Sequence, residues 1–386
     1  MGKVIEKSFL PHYPALDGLR GVAALMIVWH HFVQFTPVHE AVLALMSRVL
    51  GFMWTGVDLF FVLSGFLITN ILANSKSGKH YFRAFYGRRI LRIFPLYYAV
   101  LVIVLLILPM FGVGTHVDPS SQIYFWTYTS NYYFALSGFS ANYLSHLWTL
   151  AIEEQFYLVW PIIIFFTANL ERLRSRLLIA FVLESVLRCI LYFLGYNFNF
   201  LYLNTLTHSD ALILGCYLAL SIRSKESGAL KWLRPTRAVF FIVAIITFIL
   251  ANLGGLIPTL DALPIVDFCR STIMFGLLAV IFTWLIYAAA RQSSGWIYQL
   301  FSHSLLRWFG KYSYALYILH VPLAFVVLRP NIRCIATQPV LAEFELFIIY
   351  FGTCILFAYL SWHLFEKHFL KLKRYFRNER EEALMP

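Results

Sequence analysis

The sequence predicts an all-α polytopic membrane protein of about ten transmembrane helices, with both termini on the cytoplasmic side. Three observations carry this. The 386 residues are 60% hydrophobic and 13% charged, against about 25% charged in soluble domains. Apolar stretches repeatedly reach the ~20 residues that cross a ~30 Å hydrocarbon core. The basic residues then give the direction: 25 of the 31 Lys and Arg fall on one side of the proposed spans, four on the other, and Arg20 and Arg188 lie within spans. The crowded side is cytoplasmic by the positive-inside rule. The net charge of +12 therefore reads as orientation and lipid-headgroup charge, with no nucleic acid as partner.

The spans are expected at 14–36, 55–73, 93–112, 146–168, 177–195, 207–222, 238–257, 270–290, 312–328 and 344–366. Residues 1–13 hold no apolar run, so no cleavable leader is expected. Residues 1–370 form one integral-membrane domain, and 371–386 a short charged cytoplasmic tail. Cys189, Cys216, Cys269, Cys334 and Cys354 are scattered without a CxxC pair, which fits neither a disulfide framework nor a metal site. The outer loop 113–145 has no Lys or Arg and is rich in Tyr, Trp, Ser and Asn. It reads either as an interfacial aromatic belt or as a platform for sugar rings.

The first span, PALDGLRGVAALMIVWHHFVQF, carries Arg20 near its inner end and His31 near its outer end. Eleven residues are three helical turns plus about 20°, so both lie on one face, roughly 16 Å apart. Ionisable groups inside a membrane helix usually face a protein interior or a wet cavity and act there. His30 points about 100° away and reads as packing. Asp17 reads as a helix-start residue.

Three carboxylates lie at a depth similar to that of His31. Glu153 and Glu154 are in the fourth span and Asp210 in the sixth, all roughly 7 to 12 Å below the outer surface at 1.5 Å per residue. A carboxylate against an imidazole suits general-base chemistry, and Glu153 is the expected partner of His31. The inner half is basic. Arg89 and Arg92, three apart on one helix face beside Arg88, have the fork geometry that grips phosphate. Asp58, His146, Asp210 and His320 are further candidates for the cavity. Ser64 has no base beside it in sequence and reads, with Gly65, as a small packing residue. An anionic donor would bind at the inner mouth and a neutral acceptor at the outer one. A proton-coupled transporter is the alternative for Arg, His and Glu within ten spans.

Five segments in order resemble the membrane acyltransferase family 3, whose members O-acylate bacterial surface glycans and some small molecules. They are Arg20 with His31; Trp54, Gly56, Val57, Asp58, Phe60, Phe61, Ser64, Gly65 and Phe66; Arg89 with Arg92; His146, Trp148, Thr149, Leu150, Glu153, Phe156 and Tyr157; and Gly310, Lys311, Ser313, Tyr314, Leu316, Tyr317 and His320. Two departures stand out. A Thr-Arg-x-Asp segment reads Thr207, His208, Ser209, Asp210 here, and a late Glu-Lys-Pro-Phe reads Glu366, Lys367, His368, Phe369. The resemblance implies an acyltransferase of the inner membrane that binds no resident cofactor. Its donor would be cytoplasmic acyl-CoA, most often acetyl-CoA, held by Arg20, Arg89 and Arg92. Its acceptor would be a carbohydrate hydroxyl. His31 would be general base or transient acyl carrier, oriented by Glu153. No fused extracytoplasmic transferase domain is expected, so either the chain finishes the transfer itself or a separate periplasmic transferase is a partner.

Overall fold

The computed structural model describes residues 13–36, 50–115, 117–224, 242–249, 263–290, 295–335 and 339–376. Among them there is no strand. The long helices are α1 (Pro14–Phe35), α2 (Gly56–Ser75), α3 (Tyr81–Val102), α4 (Trp148–Phe166), α5 (Leu170–Phe193), α6 (Asp210–Arg223), α7 (Met274–Ala290), α8 (Ser304–Ile335) and α9 (Pro339–Ser361).

Six helical stretches are long and apolar enough to cross a membrane: Gly51–Ser75, Tyr81–Met110, Ser145–Phe166, Pro264–Ala290, Ser304–Leu328 and Glu343–Phe376. Helix α1 has the length, at 22 residues, but carries Asp17, Arg20, His30 and His31. Helix α5 mixes six charged residues into 24, and α6 is only 14 residues long. The expected span 238–257 falls largely outside the described residues. The helix expected from residue 93 starts twelve residues earlier, at Tyr81, so Arg88, Arg89 and Arg92 stand on the same helix that enters the membrane.

Local chemistry accounts for the ends. Pro14 starts α1, where its missing N–H has no helical partner to lose. Asn169 caps α5, its side chain accepting from the N–H groups of Glu171 and Arg172. Pro161 interrupts the ladder of α4. Beside it, the α3 phenols of Tyr81 and Tyr86 donate to the carbonyls of Pro161 and Leu158 at 3.0 and 2.8 Å, as backbone out of reach of water requires.

The packing has two main axes. Helix α1 lies along α8, and α2 lies along α6. The second contact depends on small residues: a Cβ on Gly65 would overlap the Leu212 carbonyl, and one on Gly215 the Val62 carbonyl. The expected role of Gly65 in close packing is thus met. The segment expected as an outer loop folds back as short helices, Gln122–Trp126 and Ser130–Ser137. It is pinned to α3 by Tyr97 and Tyr98, whose hydroxyls donate to the carbonyls of Phe125 and Trp126.

Candidate functional site

Helices α1, α2, α3, α4 and α8 line a partly open cavity, whose empty space, counted with the part open to solvent, is about 700 Å³. Three guanidiniums line it: Arg20 from α1, and Arg89 and Arg92 from α3. They come from distant parts of the sequence, and like charges gathered in one low-dielectric space favour an anion there. Each is also held by neighbours. Arg20 lies 3.8 Å from Asp17, so Asp17 pairs with Arg20 one turn on, and no side-chain cap is formed at the start of the helix. Arg89 sits over the ring of Tyr157 at 4.7 Å, and Arg92 over Tyr314 at 5.9 Å.

Glu153 faces the same cavity. Its Oε1 accepts from Ser64 Oγ at 2.6 Å, and Tyr157 donates to Ser64 Oγ at 3.0 Å. Tyr157, Glu153 and Ser64 thus form one chain across α4 and α2. The expected Glu153–His31 contact is not made. The turn of α4 directs Glu153 toward α2 and the arginines, while α1 is aligned so that His31 meets α8. Ser64, read from sequence as a packing residue, is a polar member of the site. The signal for it was its place at cavity depth beside Gly65, on the helix face that meets α4.

His31 belongs to a buried group of three histidines. Its Nδ1 lies 3.0 Å from the Ile27 carbonyl and 3.1 Å from Nε2 of His320. His320 is fully buried, and its Nδ1 donates to the Tyr317 carbonyl at 2.6 Å. A neutral imidazole has one N–H, so His320 Nε2 is an acceptor and the His31 proton sits on Nδ1. That leaves the His31 Nε2 lone pair as the basic atom. His146 completes the group, its ring centroid 4.9 Å from that of His320 and its Nε2 donating to the Ile318 carbonyl. One layer separates the group from the cavity. The cavity-lining hydroxyls of Thr149 and Tyr317 meet at 2.5 Å and both reach the His146 carbonyl, at 3.2 and 2.9 Å.

Asp58 and Asp210, expected as cavity residues, are not among its lining; both are fully buried and partnered elsewhere. Asp210 accepts from both terminal nitrogens of Arg188 at 3.0 Å, and Glu184 accepts from the N–H groups of Ser209 and Asp210. Arg188 is thus the intra-span arginine that α5 supplies to the start of α6. Asp58 faces His208 at 2.9 Å, while His208 Nδ1 donates to the Tyr202 carbonyl at 2.6 Å. A hydrogen must lie between His208 Nε2 and Asp58, so the pair is either imidazolium with carboxylate or imidazole with carboxylic acid, neutral as a whole in both forms. His208 stands where the family pattern has arginine. The sequence offered a sign of the Arg188 pair: an arginine within a span needs a counter-ion at its own depth.

The segment between α3 and α4 reaches α4 through Gln155. Its Nε2 donates to the Tyr128 carbonyl and to Asn131 Oδ1, both at 2.9 Å, and Thr205 donates to its Oε1. Tyr128 has φ +53°, a conformation costing a non-glycine residue about 1–3 kcal/mol. Among the described residues, Cys189, Cys216, Cys269 and Cys354 are free, and no cluster of metal-ligating side chains is found.

A family model described as an acyltransferase domain matches residues 13–363. The putative peptidoglycan O-acetyltransferase YrhL of Bacillus subtilis is 30% identical over an alignment covering 92% of this chain and 54% of its own length. The peptidoglycan O-acetyltransferase OatA of Listeria monocytogenes is 28% identical, covering 83% of this chain and 52% of the relative. The O-acetyltransferase OatA of Staphylococcus aureus is 32% identical over 56% of this chain and 36% of its own length. The chain therefore spans about half the length of the first two of these curated relatives. No solved structure matches it.

Proposed function

The chain belongs to the acyltransferase domain family and is a multi-pass membrane protein, and from that premise we propose that it is an O-acetyltransferase of the inner membrane. It would move an acyl group, acetyl first among candidates, from acyl-CoA on the cytoplasmic side to a carbohydrate hydroxyl on the outer side. The relatives named for peptidoglycan make a cell-wall glycan the first acceptor to try. The proposed topology keeps ten spans with both termini inside. A transporter is not favoured by the family.

The observation that carries this reading is the convergence of Arg20, Arg89 and Arg92 on one cavity, with His31 one layer beyond. CoA is rich in phosphate, and the guanidinium forks suit it. The pantetheine arm would run along the cavity past Glu153 and Ser64 toward the wall formed by Thr149 and Tyr317. Rotation of these two hydroxyls would bring the thioester to the histidines. His31 Nε2 then takes the proton of the acceptor hydroxyl as its oxygen attacks the thioester carbonyl. The C–S bond breaks, the ester forms, and the CoA thiolate leaves with that proton. A positioned base of this kind contributes about 10²- to 10⁴-fold. His320 would hold the proton of His31 on Nδ1, so that Nε2 faces the reaction. A separate periplasmic transferase, taking the acyl group from this chain, is a variant of the same route.

The test is transfer from radiolabelled acetyl-CoA to muropeptide disaccharides by the purified protein in proteoliposomes, with CoA supplied on the cytoplasmic face. Label on the glycan is expected from the wild type and its loss from His31→Ala. Equal labelling by His31→Ala removes the base assignment, and no covalent label on glycan or protein removes the enzyme.

A further inference from the structure

Six residues that line the cavity carry hydroxyls: Ser64, Thr149, Tyr157, Ser313, Tyr314 and Tyr317. Four of them donate to backbone carbonyls, Thr149 and Tyr317 to His146, Ser313 to Gly310 and Tyr314 to Ile93. A hydroxyl spent on a carbonyl has no base to take its proton. Tyr157 donates to Ser64 Oγ. Ser64 differs from the other five, because its Oγ donates to a carboxylate oxygen, Glu153 Oε1, at 2.6 Å. That length falls in the range of a hydroxyl on an ionised carboxylate and is shorter than the ~2.7–2.8 Å usual between neutral partners.

The surroundings of Ser64 suit a nucleophile. An active serine needs a base within about 2.6–3.2 Å, and a donor aimed at the oxygen where charge develops. Glu153 is the first, and the Tyr157 phenol, 3.0 Å from Oγ, is the second. Tyr157 follows Glu153 by one helical turn, so one face of α4 presents both to α2. The Arg89 guanidinium covers the Tyr157 ring at 4.7 Å. On the other side, a Cβ at Gly65 would lie 2.2 Å from the Leu212 carbonyl oxygen, so α2 rests directly on α6 beside Ser64. Ser64 also shares its cavity with Arg20, Arg89 and Arg92, whereas His31 stands behind Thr149 and Tyr317. A thioester whose phosphates those arginines hold reaches the serine without any wall to move.

We propose that Ser64 is a transient acyl carrier and Glu153 its base. Ser64 Oγ attacks the thioester carbonyl carbon while Glu153 takes the hydroxyl proton. The C–S bond breaks, Glu153 passes the proton to the departing sulfur, and CoA thiol leaves an ester on Ser64. The acceptor oxygen then attacks that ester. Its proton goes to His31 Nε2, the bond from the acyl carbon to Ser64 Oγ breaks, and the proton restores the serine hydroxyl. CoA has left before the acceptor reacts, so the cavity serves the two substrates in turn. This inference rests on the O-acetyltransferase reading and adds an ester to its route.

The purified protein in nanodiscs is incubated with radiolabelled acetyl-CoA in the absence of acceptor, quenched in acid and mapped by peptide mass spectrometry. Wild type and His31→Ala should both carry acetyl on Ser64. Muropeptide disaccharide should discharge the wild type and leave His31→Ala labelled. Ser64→Ala should lose the label while binding CoA as the wild type does, and Glu153→Gln should acquire it about 10²- to 10⁴-fold more slowly. Initial rates should give the parallel double-reciprocal lines of a ping-pong reaction. If the wild type acetylates the disaccharide with no acetyl on Ser64, or Ser64→Ala transfers at the wild-type rate, the carrier is wrong and the enzyme stands. Should Ser64→Ala lose CoA binding, Ser64→Cys decides: a thioester on the new thiol, released by neutral hydroxylamine, supports the carrier, and its absence overturns it. No label on protein or disaccharide with the wild type overturns both readings together.

Discussion

Glu153 accepts a hydrogen bond from Ser64 at 2.6 Å among the arginines, whereas Glu154, one residue on, keeps an enclosed oxygen with no hydrogen-bond partner. The two carboxylates share a helix, a depth and a chemistry. They differ by 100° of rotation, and of the two only Glu153 is among the residues that line the arginine cavity. The comparison shows that a pair of like residues in sequence need not share a role.

The sharpest break of this comparison lies at His31, one layer beyond the cavity that Glu153 lines. His31→Ala should cost about 10²- to 10⁴-fold in transfer at saturating levels of both substrates, read as kcat. Unchanged kcat would remove the base assignment. A change remote from the cavity should act on the fold alone. Arg188→Ala leaves Asp210 as an uncompensated buried charge and should destabilise by about 3–5 kcal/mol, seen as a large fall in the detergent melting temperature. If stability held while acceptor KM rose, the Arg188–Asp210 pair would belong to the acceptor side.

Changes on the Glu153 side should be donor-selective. Arg89→Ala or Arg92→Ala removes charge-assisted bonds worth about 1.5–3 kcal/mol, so the KM for acetyl-CoA should rise about 10- to 150-fold with the disaccharide KM unmoved. A shift confined to the disaccharide would reverse the donor assignment. The smallest effect is expected at His320. His320→Phe removes one of the two acceptors facing the His31 Nδ1 proton and leaves the Ile27 carbonyl as the other, which should lower kcat by up to about 10-fold, the worth of one hydrogen bond of about 1.5 kcal/mol. Both KM values should stay, and the pH profile of kcat should move, since the base has lost one of its partners. An unmoved profile would make His320 a packing residue only.

Much of the site was legible in the chain because its cost is visible there. An arginine or histidine in a membrane helix stands out against apolar neighbours, and the phase of a helix follows from counting. Arg20 and Glu153 were found in this way, Arg89 and Arg92 by their spacing on one helix face at the inner mouth, and all four line the cavity. Partnership was not legible. Depth placed Glu153 and Asp210 near His31, yet helix rotation gave Glu153 to Ser64, Asp210 to Arg188, and His31 to His320. Ser64 escaped because a hydroxyl is cheap enough in an apolar helix to read as packing, although it stood at cavity depth beside Gly65.

By itself, then, the sequence determined a helical membrane protein, the face that joins Arg20 to His31, the basic and acidic depths, and the resemblance to an acyltransferase family. The tertiary structure decided which groups meet. Hydropathy and helical period are properties of one segment, set by its own residues. Pairing across helices depends on how each helix is rotated and slid against the next, here by glycine contacts such as Gly65 on α6 and Gly215 on α2. Those contacts set which side chains face each other across helices, and no local pattern records them.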